Sequence, residues 1–150
     1  MKWIDITTEA ELNNLYKNIL YGWHDGCLRE VHLWNSCYIV NNYMHPGRGV
    51  TDAKVLFQGH WADGIKAVEL YFSEVQRFNL VGSQPSYLND IYEATLKIID
   101  GVIYWADGEG WDINDPQSRE ITWISAKGLK WRPRSEWMGD TLRYGENEEE

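Results

Sequence analysis

The chain has 150 residues, 43% of them hydrophobic, with nine tryptophans, nine tyrosines and a formal net charge of −9. That length holds one domain with a sizeable core, and that apolar and aromatic content excludes a disordered chain. The acidic balance weighs against nucleic acid or an anionic membrane as partner and favours a basic protein, or simple solubility.

The first residues, Met-Lys-Trp-Ile-Asp, lack the apolar run and the small-residue cleavage site of a signal peptide. No stretch reaches the roughly 18 apolar residues of a membrane-crossing helix. Two cysteines, Cys27 and Cys37, suit unpaired thiols in a reducing compartment, so a cytoplasmic location is expected. They are too few for a zinc ribbon.

Thr8 followed three residues later by Glu11 is a capping box. Leu12, Leu15, Tyr16, Ile19 and Leu20 then recur at helical spacing, and Gly22 is a stop signal. The spacing predicts a helix from Glu9 to Leu20. Trp23-His24-Asp25-Gly26 reads as a turn into a strand whose two faces are both mixed, residues 27 to 34. With a turn at Asn35-Ser36, the two cysteines lie apart on the sheet. Tyr38 to Val40 resumes a strand. Asn41 to Asp52, carrying Pro46, Gly47 and Gly49, reads as a loop.

Further strands are expected at Lys54 to Gln58 and Ala67 to Phe72. Val75 to Val81 either continues the latter through a bulge or forms the next strand. Tyr92, Ala94, Leu96 and Ile98 alternate with Glu93, Thr95 and Lys97, the period of a half-buried strand. Asp100-Gly101 supplies a tight type I′ turn, and Val102 to Ala106 returns. After an acidic loop, Glu120 to Ala126 and Leu129 to Trp131 read as a last hairpin around Lys127-Gly128. Beyond Pro133 the chain reads as loosely ordered, with Trp137, Leu142 and Tyr144 able to dock. The expectation is a single α+β domain over residues 1–145, with a disordered acidic tail over 146–150. One N-terminal helix packs on a mostly antiparallel, twisted sheet or half-barrel of about seven or eight strands. An all-β sandwich is the alternative.

The candidate chemistry is sparse. Trp23, His24, Asp25 and His60 make a possible ligand site: an imidazole beside a carboxylate serves as general base or ligand. The plainer account is a turn in which Asp25 caps and His24 bonds the backbone. His24, His32, His45 and His60, with Asp52 and Asp63, lack the i,i+2 or i,i+4 spacing of metal ligands, so no metal site and no cofactor are assigned. The loop with Asp107, Glu109, Asp112 and Asp115 lacks the full ligand spacing of a calcium loop. With Trp111 at its centre it reads as an acidic, aromatic contact for a cationic surface, unless Trp111 folds back onto the sheet. Gly47-Arg48-Gly49 opens no helix and is not a phosphate cradle. Lys127, Lys130, Arg132 and Arg134, interleaved with Trp123, Trp131 and Trp137, suit single-stranded nucleic acid in a basic protein. In an acidic one, cation–π pairing is the better default. No serine or cysteine nucleophile motif is present, and no catalytic residue is assigned.

Several segments together resemble a group of small bacterial proteins without an assigned activity. They are Trp23-His24-Asp25-Gly26-Cys27-Leu28, Arg29-Glu30-Val31, Val55-Leu56-Phe57-Gln58 and Ile103-Tyr104-Trp105-Ala106-Asp107. The resemblance covers most of Tyr21 to Asp107. The group is similar in size and acidity to the immunity proteins of bacterial toxin systems, which implies a non-enzymatic, acidic protein-binding domain whose partner is a basic protein such as a toxin. A small enzyme or ligand-binding domain around His24 and Asp25, and a homodimeric structural module, are the alternatives.

Overall fold

The computed structural model describes residues 2–47, 49–62, 64–83 and 86–145. Arg48, Asp63 and the acidic tail over 146–150 lie outside the described residues, and so do the expectations placed on them.

A strand precedes the helix. β1 (Ile4–Ile6) is short and only Ile6 is buried, too little for any periodicity to announce it. α1 (Glu9–Asn13) follows and runs directly into a π-helical turn over Asn14–Ile19. Thr8 caps it: the hydroxyl accepts from the Glu11 amide at 3.2 Å and donates to the Glu11 carboxylate at 2.9 Å. Leu12, Leu15 and Leu20 are buried, as the helical spacing indicates. Gly22, at φ 66°, breaks the run.

Eight further strands follow: β2 (Cys27–Asn35), β3 (Tyr38–Val40), β4 (Tyr43–His45), β5 (Thr51–Gln58), β6 (Ala67–Asn79), β7 (Thr95–Ile99), β8 (Val102–Ala106) and β9 (Trp123–Pro133). Seven strands form one antiparallel sheet in the order β2-β5-β6-β9-β8-β7, with β1 paired to β9. β3 and β4 form a separate hairpin. The fold is thus α+β, one N-terminal helix on a mostly antiparallel sheet. It is not a sandwich, because the ends of the sheet approach each other. Gly26, beside β2, bridges Ile91, ahead of β7. The Ile91 amide donates to Gly26 O at 2.7 Å, and the Asp25 amide to Ile91 O at 2.9 Å. Trp23 fills the interior of this half-barrel. Its ring lies 5.6 Å from Phe57 on β5 and 6.2 Å from Trp105 on β8, strands that are not neighbours in the sheet.

Three sequence expectations change. β9 is one continuous strand, not a hairpin about Lys127-Gly128: Gly128 sits opposite Ser73 on β6, and a Cβ there would run into the Ser73 hydroxyl. The glycine makes room rather than a turn. β4 occupies part of the expected 41–52 loop. Strand β7 begins at Thr95, so Ala94 and Leu96 are buried as the alternation indicates, whereas Tyr92 is exposed and Ile91 takes the interior place at the seam. β6, by contrast, does continue through a bulge, between Val75 and Arg77.

The segment after Pro133 is better held than its composition suggests. It lies across the outer face of the sheet, where Glu30, Glu69 and Arg132 share a row through the strand registers. Glu30 accepts the Arg143 amide at 2.8 Å and the Tyr144 amide at 3.1 Å. Gln58 Nε2 donates to the carbonyls of Trp137 and Gly139, each at 3.0 Å. The Tyr144 hydroxyl donates to Glu69 at 2.7 Å, and Arg132 Nε donates to the other Glu69 oxygen at 2.7 Å. Glu69 is fully buried, so this pairing answers the desolvation of its charge. Burial and the Glu69 acceptor push the Tyr144 hydroxyl well above its ordinary range. Leu142 stays exposed.

Candidate interaction surface

The most exposed apolar element is the β3–β4 hairpin. Asn41 and Asn42 turn it, at φ 51° and 65°, the left-handed pair of a type I′ turn. Asparagine tolerates that region, so the turn forms without glycine. The base is closed by the Ser36 amide donating to Val50 O at 3.0 Å and by the Asn35 side chain accepting the Cys37 amide at 2.8 Å. Tyr38 and His45 stack face to face at 4.6 Å. Tyr38, Ile39, Val40, Tyr43 and Met44 are between 47% and 74% exposed, and none belongs to either core cluster. The hairpin projects from the end of β2, whose only partner in the sheet order is β5, leaving its other edge free of a neighbouring strand among the described residues. Sequence reading placed Asn41 to Asp52 in a loop because Pro46, Gly47 and Gly49 dominate it. The usable signal is Asn-Asn between Tyr-Ile-Val and Tyr-Met-His.

The acidic loop is built differently from expectation. Trp111 is buried, not presented: it folds back onto the sheet between Tyr104 at 5.8 Å and Trp123 at 5.2 Å. Thr95 on β7 holds the loop, its hydroxyl donating to Gly108 O at 2.6 Å and accepting the Trp111 amide at 3.1 Å. Lys97 Nζ donates to Trp111 O at 2.6 Å and sits over the indole. Asp112 and Asp115 cap local turns through the amides of Asn114 and Gln117, both at 2.9 Å. Glu109, Asp112 and Asp115 are exposed. Asp107 is half-buried, and burial first, then the nearby charge of Asp90, raises its carboxyl above the usual carboxylate range.

The His24–Asp25 turn takes its plainer form in part: His24 meets the backbone, whereas the Asp25 side chain caps no amide among the described residues and faces His24. His24 Nδ1 lies 2.7 Å from Tyr92 O, and its ring packs edge-on against Tyr92. His24 Nε2 is 3.4 Å from Asp25, with both side chains largely in water. Asp25 adopts φ 57° and its amide is spent on the seam. Trp23 is wholly buried beneath them and lines no surface. His60 is exposed, and among the described residues no hydrogen bond or ring contact brings it to His24. Its neighbour Trp61 instead packs close against Gly26 and Gly59, where a Cβ on either would meet its ring. Among the described residues no three His, Cys, Asp or Glu side chains gather as a metal-holding group.

Three of the four basic residues on and just beyond β9 are engaged with aromatic rings, and Lys127 stays exposed. Arg132 lies 4.1 Å from the Trp3 ring, Lys130 4.5 Å from Tyr71, and Arg134 3.7 Å from Trp137. No described helix is long and apolar enough to cross a membrane. Comparison with family models, with curated proteins and with solved structures gave no match.

Proposed function

We propose that this chain is a non-enzymatic, acidic protein-binding domain of the inhibitor type, comparable in role to the immunity proteins of toxin systems, and that the β3–β4 hairpin is its apolar anchor. The observation that carries this reading is five large apolar side chains standing in water on an eight-residue hairpin, residues 38–45. An isolated two-stranded hairpin is marginal, and an exposed apolar edge invites association, so a partner that covers it removes a liability. Burying each such side chain is worth about 1.5–3 kcal/mol gross, of which only a surplus appears as affinity. The net charge of −9 decides between occupants. A second copy would bring like charge to the interface, whereas a basic protein would be steered in. Exposed Glu109, Asp112 and Asp115 contribute to that field; Trp111 does not act as an anchor. The reading includes a cytoplasmic location, supported by two free cysteines.

Affinity capture from lysate of the source cells, with wild type and a Tyr43→Ser/Met44→Ser variant at low and high salt, tests it. The expected result is a basic polypeptide held by the wild type at low salt, weakened by salt and lost with the variant. Capture indifferent to the variant, or no polypeptide at either salt, overturns it.

A further inference from the structure

We propose that the cleft between the start of β2 and the end of β8 binds a small zwitterion, a free α-amino acid with an apolar side chain, its ammonium group on Asp107 and its carboxylate on Arg29. The cleft measures about 490 Å³ and is lined by Cys27, Leu28, Arg29, Val81, Trp105 and Asp107, among others. That is within the usual size of small-ligand sites, about 300–1,000 Å³.

One acidic and one basic residue, Asp107 and Arg29, line the cleft, and no ion pair joins them. Asp107 forms no ion pair or side-chain hydrogen bond among the described residues, although it is half-buried. A partly desolvated carboxylate without a partner is costly, and an ammonium group is its natural complement. The nearby charge of Asp90 strengthens the preference for a cation at this end. Arg29 is fixed by donating from Nη2 to Asp140 O at 2.6 Å, and its Nε has no partner. No ion pair joins it to Asp107. A guanidinium with donors to spare suits a carboxylate. Leu28, Val81 and Trp105 supply apolar walls, and Trp105, 1% exposed, keeps an unbonded indole N–H. A molecule that bridges both residues would give the Asp107 carboxylate a cation and the Arg29 guanidinium an anion while resting its side chain on these walls. The hairpin plays no part in this site.

The test is an amide NMR titration of the full chain with L-phenylalanine, L-leucine, phenethylamine and 3-phenylpropanoate. One or both amino acids should give saturable shifts at Leu28, Arg29, Asp107 and Thr122. Each phenylalanine analogue, lacking one charge, should bind about tenfold more weakly than phenylalanine. Asp107→Asn should erase the preference for phenylalanine over 3-phenylpropanoate, and Arg29→Gln the preference over phenethylamine. A readout that needs neither variant uses Cys37→Ser, which leaves Cys27 as the single thiol: its alkylation should slow with the amino acid, and reach the same protection with either analogue only at about tenfold higher concentration. The proposal is overturned if neither amino acid gives saturable shifts up to about 10 mM, or if phenethylamine or 3-phenylpropanoate binds as tightly as phenylalanine.

Discussion

At the scale of single residues, the buried charge of Glu69 is the most consequential. Arg132 and Tyr144 each donate to one of its oxygens at 2.7 Å, and the carboxylate has no access to water. Removing one member of a buried pair leaves the other's desolvation uncompensated. Glu69→Gln should therefore cost about 3 kcal/mol of stability, and Tyr144→Phe about 1.5–3 kcal/mol. Urea unfolding midpoints measure both, and the double variant should cost less than their sum because the residues share one network. Two other tyrosines set an alkaline limit. Tyr16 donates to Glu93 at 2.9 Å and Tyr71 to Asp52 at 2.6 Å, and burial first, then these carboxylates, raises each from 10.0 to about 12. The folded state thus holds these protons more tightly than the unfolded chain. Their contribution is complete below about pH 10 and is lost as pH rises through about 12. Thermal melts over that window should fall more steeply for the wild type than for the Tyr16→Phe/Tyr71→Phe variant.

At the scale of elements, the seam that closes the half-barrel depends on glycine. A Cβ on Gly26 would lie 2.5 Å from the Trp61 ring and 3.1 Å from the carbonyls of Gln58 and Trp23. Gly26→Ala should cost about 1–3 kcal/mol by overpacking, with a smaller cost in a Trp61→Leu background, read by the same unfolding experiment. The hairpin is the opposite case. Asn35 and Thr51 already pair at its base, and none of its exposed side chains enters the core. Replacing residues 36–50 by a two-residue turn should leave stability within about 0.5 kcal/mol while abolishing partner capture. These elements also mark how far the sequence could be read. Helical spacing located α1, period-two alternation located β7, and Asp100-Gly101 between β7 and β8 turns as its residue types require. Gly128 misled, since glycine marks both turns and close approaches, and only the register tells them apart. β1 and β4 were too short for a period to show.

At the scale of the whole molecule, the fold puts its aromatic surplus to structural use and leaves apolar surface elsewhere. Trp23, Trp105, Trp111, Trp123 and Trp131 are buried, so the tryptophan count does not mark the contact surface. Exposed apolar residues gather on the hairpin, as tyrosine, isoleucine, valine and methionine, and again between Leu80 and Tyr92, with others such as Ile4, Tyr21 and Leu142 standing singly. Composition suggested an acidic binding protein but pointed to Trp111, because burial is set by long-range packing that a local pattern does not contain. Arg29 and Asp107, far apart in the chain, come to line one cleft only through the closing of the sheet. The measurement that tests the central claim most directly is photo-crosslinking in the source cells, with a photoreactive side chain placed at Tyr43 and, as control, at exposed Lys127. Position 43 should give one discrete adduct with a basic polypeptide and position 127 none. Equal adduct patterns from both positions, adducts only to the chain itself, or no adduct from position 43 would contradict that claim.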